Sequence, residues 1–155
     1  MANPFPFTAG QVLTAAQLNG IGEEWTSYTP VITQGATITK TVTNAIYTRV
    51  NRIVFFQIQL ALTSAGTANT PILIDAPVAA SSRATQGVFN GSVGAGGFYD
   101  ASTTNHYNAT VQINGSNKFA LFANGAGGSL FGQFPAITIA NGDFIFLQGS
   151  YETFA

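Results

Sequence analysis

The chain lacks cysteine and has very few charged residues. Its 155 residues include five Lys or Arg, six Asp or Glu and one His, so charged residues make up 7%, against roughly 25% in ordinary soluble domains. Without cysteine there can be no disulfide framework, thiol nucleophile or cysteine-ligated zinc site. A formal net charge of −1 with no basic cluster argues against binding to nucleic acid or to an anionic membrane surface. Stability must therefore come from the packing of uncharged side chains.

Targeting and membrane signals are also missing. The first basic residue is Lys40, so no basic region precedes an apolar run as a secretory signal would require. Gln57, Gln59 and Gln148 interrupt the longest apolar stretches, which fall short of the ~20 residues needed to span a bilayer. We expect one ordinary domain with a short N-terminal appendage and no membrane insertion.

The sequence contains no catalytic or metal-binding signature. Glu23 and Glu24 are adjacent, so their carboxylates diverge on a helix. Asp100 near His106 is the one acid–base coincidence, and no G-x-S-x-G nucleophile motif accompanies it. A lone His cannot form a zinc site, and no calcium-loop pattern is present. We predict that the chain is not an enzyme and that it uses no cofactor and no metal.

Residues 46–62 form the centre of the predicted fold. Val54, Phe56 and Ile58 recur at every second position, with Gln57 and Gln59 between or beside them, which is the period of a strand with one buried face. Residues 46–50 have the composition of a partner strand, and Asn51-Arg52 can turn the chain because Asn tolerates a positive φ. The pattern predicts a hairpin.

The rest of the domain reads as short strands separated by turns. Asn-Gly pairs begin at residues 19, 90, 114, 124 and 141, and Asn-Gly between apolar runs favours a hairpin. We predict an all-β domain over residues 25–155, an antiparallel β-sandwich or jelly roll of about eight to ten strands. Strands are expected at 28–33, 36–42, 71–76, 86–93, 110–113, 119–122, 137–139 and 144–147.

Residues 1–24 differ in composition from the remainder. Pro4 and Pro6 favour an extended start, and residues 14–17 have the spacing of a capping box that opens a short helix. A helix of about two turns is not stable alone in water, so it must dock on another surface. We predict an attachment segment whose contacts are made by Phe5, Phe7, Val12, Leu13 and Leu18.

A resemblance to a known family rests on these residues. Residues 6–19, Pro-Phe-Thr-Ala-Gly-Gln-Val-Leu-Thr-Ala-Ala-Gln-Leu-Asn, resemble the N-terminal phrase of bacteriophage tail-fibre and virion appendage proteins, roughly F-x-x-G-x-x-L-T-A-x-x-[LV]-N. Residues 25–30 and 47–54 resemble the segments that follow it, with Asn51 replacing the usual glycine, and residues 71–77 are similar to a later strand and proline. The resemblance implies a virion structural protein located in the virion, anchored to other virion proteins of the tail or capsid. A head fibre or capsid decoration protein is the alternative.

Apolar side chains on both faces of several strands predict an oligomer. Ile145 and Leu147 alternate with phenylalanines, and Phe55 and Phe122 oppose buried neighbours, so a single sheet face cannot cover them all. We predict that Phe55, Phe122, Ile145 and Leu147 form a subunit interface, and the family resemblance implies a homotrimer. The alternative is that the segment at Trp25 and the N-terminal helix cover this second face within one chain.

Two glycine-rich stretches, 94–107 and 125–132, are predicted to be long loops. The first carries aromatic, amide and carboxylate side chains that suit sugar binding, and exposed loops are common binding sites. The candidate ligand-binding residues are Tyr99, Asp100, Asn105, His106 and Tyr107, and the candidate ligand is a host-surface glycan. A free-standing lectin-like carbohydrate-binding module is therefore a second alternative function.

Overall fold

The structure is a computed structural model that describes residues 10, 12, 14, 15, 24–81, 91–115, 117–123 and 129–154. All regular elements formed by these residues are β-strands, and every pairing between them is antiparallel, as the all-β prediction requires. The ten strands are β1 (Thr26–Ser27), β2 (Ile32–Gln34), β3 (Ala36–Thr37), β4 (Lys40–Val50), β5 (Ile53–Leu62), β6 (Leu73–Asp75), β7 (Ser92–Asp100), β8 (Asn105–Asn114), β9 (Lys118–Phe122) and β10 (Phe144–Glu152).

The predicted hairpin at residues 46–62 is confirmed. β4 and β5 pair from Val50 and Ile53 at the turn to Lys40 and Leu62 at the far end. Asn51 adopts a φ of 55°, the left-handed conformation that asparagine tolerates better than most residues. The even-numbered side chains of β5 are buried, and Ile53, Phe55 and the two glutamines after them are exposed.

The strands form one continuous sheet in the order β1-β4-β5-β10-β7-β8-β9-β6-β2-β3. This sheet curls over itself into a half-barrel. Although β5 and β9 lie four positions apart in the order, the rings of Phe56 and Phe119 stack with centroids 4.3 Å apart. The core therefore lies on the concave side of the sheet, where both rings are almost fully buried.

The register of β10 corrects part of the predicted subunit interface. Ile145 pairs with Leu60, and Leu147 pairs with Ile58. Directly opposed residues share a face, so both side chains point into the core, where each is 1% exposed. Assigning Ile145 and Leu147 to a subunit interface was wrong. Phe144 and Phe146 occupy the outer face, with 40% and 46% of their surfaces exposed.

The first glycine-rich stretch is a hairpin instead of the predicted long loop. Residues 94–100 belong to β7, residues 105–107 belong to β8, and residues 101–104 form the turn. The glycines permit close approach within the sheet: a Cβ on Gly94 would lie 2.0 Å from the Gln148 carbonyl oxygen, and one on Gly149 would lie 2.0 Å from the Val93 carbonyl oxygen. Glycine is therefore required here by packing between strands.

A buried glutamine at the end of β2 ties two loop segments together at one end of the half-barrel. Gln34 is fully buried. Its Nε2 donates to the carbonyl oxygens of Ile137 at 2.6 Å and Thr70 at 3.2 Å, and its Oε1 accepts from the Ile139 N–H at 2.8 Å. Residues 137–139 were predicted to be a strand, but they belong to no strand of the sheet. The Gln34 side-chain amide satisfies backbone groups of this segment that a neighbouring strand would otherwise have bonded.

Most of the N-terminal prediction concerns residues outside the described part of the chain. This applies to Phe5, Phe7, Leu13 and Leu18, and to the predicted helix apart from Thr14 and Ala15. Val12 is described and is 86% exposed. The strand predicted at 86–93 is described from residue 91, and β7 begins at Ser92.

Candidate functional site

A groove on the outer face of the sheet crosses five strands. Its volume is about 650 Å³, within the range of roughly 300–1,000 Å³ that is typical of small-ligand sites. The register places the outward side chains of β4, β5, β10, β7 and β8 in rows. Because alternate residues of a strand share a face, successive rows lie about 7 Å apart.

The first row is aromatic. Phe144 of β10 lies opposite Tyr99 of β7, and Tyr99 lies opposite His106 of β8. The ring centroids of Tyr99 and His106 are 4.6 Å apart, and those of Tyr99 and Phe144 are 6.3 Å apart. These distances are typical of tilted aromatic contacts, so the three rings form a continuous wall along one side of the groove.

The second row places one exposed ring between amides. In register across the sheet it runs Asn44, Gln59, Phe146, Gly97, Asn108. A Cβ on Gly97 would lie 2.8 Å from Cε1 of Phe146, so the ring lies over the glycine. With a side chain at position 97 the ring could not occupy this place, and its exposed part forms the centre of the groove.

The third row is polar along its middle. Gln57 of β5 pairs with Gln148 of β10, and both side chains are exposed. Each amide offers both donors and an acceptor carbonyl. No Lys, Arg, Asp or Glu lines the groove among the described residues. The groove therefore combines aromatic surface with uncharged hydrogen-bonding groups.

The structure divides the five residues predicted to bind a ligand. Tyr99 and His106 line the groove on the outer face. Tyr107 has the opposite orientation, with its ring 5.6 Å from that of the buried Phe131. Asn105 pairs with Asp100 beside the turn. Only Tyr99 and His106 therefore present their side chains to the groove surface.

Asp100 organises the β7–β8 turn. One oxygen of its carboxylate accepts from the Ser102 hydroxyl at 2.6 Å and from the Ser102 N–H at 2.9 Å. The Ser102 side-chain hydrogen bond, with further help from Thr103, holds the pKa of Asp100 below its ordinary value. Asp100 is thus an ionised turn residue, and the acid–base pair with His106 has no support in this geometry.

Sequence reasoning missed Phe144, Phe146 and the glutamines as site residues. A usable signal was present, since Gln148 shares the parity of Phe144 and Phe146 and marks their face as the outer one. The groove also depends on the pairing of β10 with β7, two strands far apart in sequence. No local pattern reveals that pairing.

A second exposed feature on the outer face lies beside the β4–β5 turn, and we name it the hairpin-end patch. It consists of Trp25, Ile53, Phe55 and Phe154, which are 51%, 39%, 42% and 54% exposed. Phe154 is held near the turn because its carbonyl oxygen accepts from Nη2 of Arg49 at 3.0 Å. Phe122, another predicted interface residue, lies on β9 and is half-buried. Phe55 therefore remains exposed and available to a partner subunit. Its exposed neighbours are the other side chains of the hairpin-end patch, and Phe122 is not among them.

The described part of the chain contains neither a cluster of metal-ligating residues nor a helix able to span a membrane. No group of three or more His, Cys, Asp or Glu residues there could hold a metal ion. No helix there has the length and apolar character needed to cross a membrane.

In comparisons with known proteins, no family model, curated protein or solved structure matches the chain.

Proposed function

We propose that the chain is a bacteriophage virion structural protein, a small fibre or appendage. Residues 1–24 anchor it to other virion proteins, and the β domain faces outward to contact the host surface. The hairpin-end patch carries this proposal, because four large apolar side chains are exposed together in a chain with only 7% charged residues. Exposed apolar patches of this kind are typical of protein interaction sites. The likeness of residues 6–19 to the appendage phrase supports the same function.

The finer fold proposal is a β-sandwich of the jelly-roll kind. The stacking of Phe56 on Phe119 supports it, since one half of the curled sheet faces the other across a shared core. In this description β4, β5 and β10 form one layer, and β8, β9 and β6 form the other.

The proposed assembly is a homotrimer in which the hairpin-end patch is covered by neighbouring subunits. Sedimentation velocity of the full chain tests this proposal. The expected result is a trimer for the native chain and for Phe146→Ser, and dissociation for Phe55→Ser. Both variants remove one outward phenylalanine of similar exposure, but only Phe55 lies in the patch. A monomeric native chain would refute the trimer.

Attachment is tested by deleting residues 1–24 and measuring the protein in purified particles. We expect the truncated chain to keep the circular dichroism spectrum of a β protein and to disappear from particles. Undiminished incorporation would show that the N-terminal segment is not the anchor.

Two other functions remain candidates. A head fibre or capsid decoration protein would have the same anchor and patch, and labelling on the capsid instead of the tail identifies it. A lectin-like module is favoured by the groove, and it predicts sugar binding by a chain that is absent from particles.

A further inference from the structure

We propose that the outer-face groove, centred on Phe146, binds a neutral oligosaccharide. This inference deepens the adhesive role proposed above by naming the chemical class of the ligand. Three features of the groove carry it: the absence of charge, the exposed rings, and the amides on both sides of those rings.

The absence of charge excludes several ligand classes. Among the described residues, the titratable ones along the groove are Tyr99, Tyr107 and His106, and Tyr107 directs its ring toward the buried Phe131. A phosphate, a nucleic acid or an acidic polysaccharide would require basic side chains to compensate its charge. Arg49 and Lys118 lie outside the groove and are paired elsewhere, Arg49 with backbone carbonyls near the turn and Lys118 with Asp75. The ligand must therefore be uncharged.

The rings provide a surface for the apolar faces of sugar rings. Phe146 lies over Gly97, which leaves the exposed part of its ring directed into the groove. Phe144 stands two residues away on the same strand and face, and Tyr99 and His106 continue that row. Successive rows are about 7 Å apart, so an extended chain of sugar units can contact both rows. A flat apolar ring face pairs well with an aromatic surface.

The amides supply directional contacts for hydroxyl groups. Gln59 lies opposite Phe146 on β5, Gln148 follows it on β10, and Asn108 lies on the far side of Gly97. An amide side chain both donates and accepts, so it can serve two neighbouring hydroxyls of a sugar. A neutral sugar requires an aromatic surface and hydrogen-bonding groups. The second and third rows together provide both.

A second copy of the chain is a poorer occupant of this site. A flat sheet face placed against the groove would leave much of its 650 Å³ volume unfilled, and unfilled volume at an interface forfeits packing energy. The amides would also be desolvated without assured partners. The hairpin-end patch is the better surface for subunit contact, because its four exposed side chains are large and apolar, and the charges of Arg52 and Glu152 beside it are paired with each other.

Binding at this groove need not be tight to be useful. A shallow site open to solvent gives a weak single contact. Several copies on one particle then raise the overall affinity through avidity. The groove can therefore serve adhesion whether the chain is mounted on the tail or on the capsid.

The test is a binding screen on the purified full chain. The probes are uncharged gluco-, galacto- and manno-oligosaccharides of six units, with hexagalacturonate as the anionic comparison, and isothermal titration calorimetry measures each affinity. We expect at least one neutral probe to bind and hexagalacturonate not to bind. Phe146→Ala should weaken binding by about tenfold, and Phe146→Tyr, which keeps the ring, should restore it. Gln59→Ala should weaken binding severalfold.

Phe134→Ala is the matched control, since it removes a phenylalanine of similar exposure that lies outside both the groove and the hairpin-end patch. Its affinity for the probe should equal that of the native chain. The proposal is overturned if no neutral probe binds, if hexagalacturonate binds more tightly, or if Phe146→Ala leaves the affinity unchanged. Virion incorporation is measured separately on particles, so the proposed function can fail while sugar binding stands, and the reverse.

Discussion

Replacing Gln34 by alanine should destabilise one end of the half-barrel. The free energy of unfolding should fall by more than it does for any substitution at an exposed position. The native amide makes three hydrogen bonds, to Thr70, Ile137 and Ile139, and is fully buried. Alanine leaves the Ile139 N–H and two carbonyl oxygens without these partners. The segment at 137–139 has no strand beside it that could replace them.

The magnitude follows from the contacts. Each hydrogen bond contributes about 1 kcal/mol net, and the cavity left by the missing amide and methylene groups adds ~1–2 kcal/mol. Relaxation is restricted, because a Cβ on Gly66 would lie 2.0 Å from Gln34 Oε1 and one on Gly132 would lie 3.0 Å from Nε2. The backbone already encloses the amide closely. We expect a loss of roughly 3–5 kcal/mol from a total stability of the order of 5–15 kcal/mol.

Urea unfolding followed by circular dichroism measures this loss. The midpoint for Gln34→Ala should fall while the slope of the transition stays that of the native chain. Gln57→Ala is the control, since Gln57 is exposed on β5 and its loss should change stability by less than about 0.5 kcal/mol. A loss below about 1 kcal/mol for Gln34→Ala would refute the reasoning that this amide replaces backbone pairing.

Three further predictions follow. Asp143 is 1% exposed, and its carboxylate accepts from the N–H groups of Ala101 and Ala140. Asp143→Ala should therefore lower the free energy of unfolding by about 2 kcal/mol. An unchanged thermal midpoint would contradict this prediction. Burial raises the pKa of Tyr28 and of Tyr151 above the ordinary value of 10.0. Their contribution to stability should be complete below about pH 10 and lost as the pH rises above it. Part of the tyrosinate absorbance of the chain's five tyrosines should therefore appear only together with unfolding, and full absorbance before unfolding would contradict this. Gly97→Ala should displace the Phe146 ring and weaken binding of any sugar found in the screen, with little change in the circular dichroism spectrum; unchanged affinity would argue against the ring position.

The central hairpin could be predicted because its signals are local. Val54, Phe56 and Ile58 recur at every second position, Gln57 and Gln59 mark the opposite face as exposed, and Asn51 suits the turn. The side chains of β10 were harder to assign, because Phe144 and Ile145 are both apolar and Gln148 alone marks the outer parity. Pairing with β5 decides the matter, and that pairing joins residues about ninety positions apart.

The groove could be predicted only in part. Tyr99 and His106 were identified because their stretch of sequence carries aromatic, amide and carboxylate side chains. The glycines in the same stretch suggested a loop, because glycine generally disfavours strands. In the structure Gly94 and Gly97 allow neighbouring atoms to approach closely, which is a property of the assembled sheet. Phe146 entered the site only when β10 was placed beside β7.

The most direct test of the virion proposal is the location of the protein on the particle. Gold-labelled antibody against the β domain, viewed by electron microscopy, should decorate intact particles of a phage that encodes the chain. The label should disappear when residues 1–24 are deleted. Intact particles that carry no label, from cells that contain the folded protein, would contradict the account.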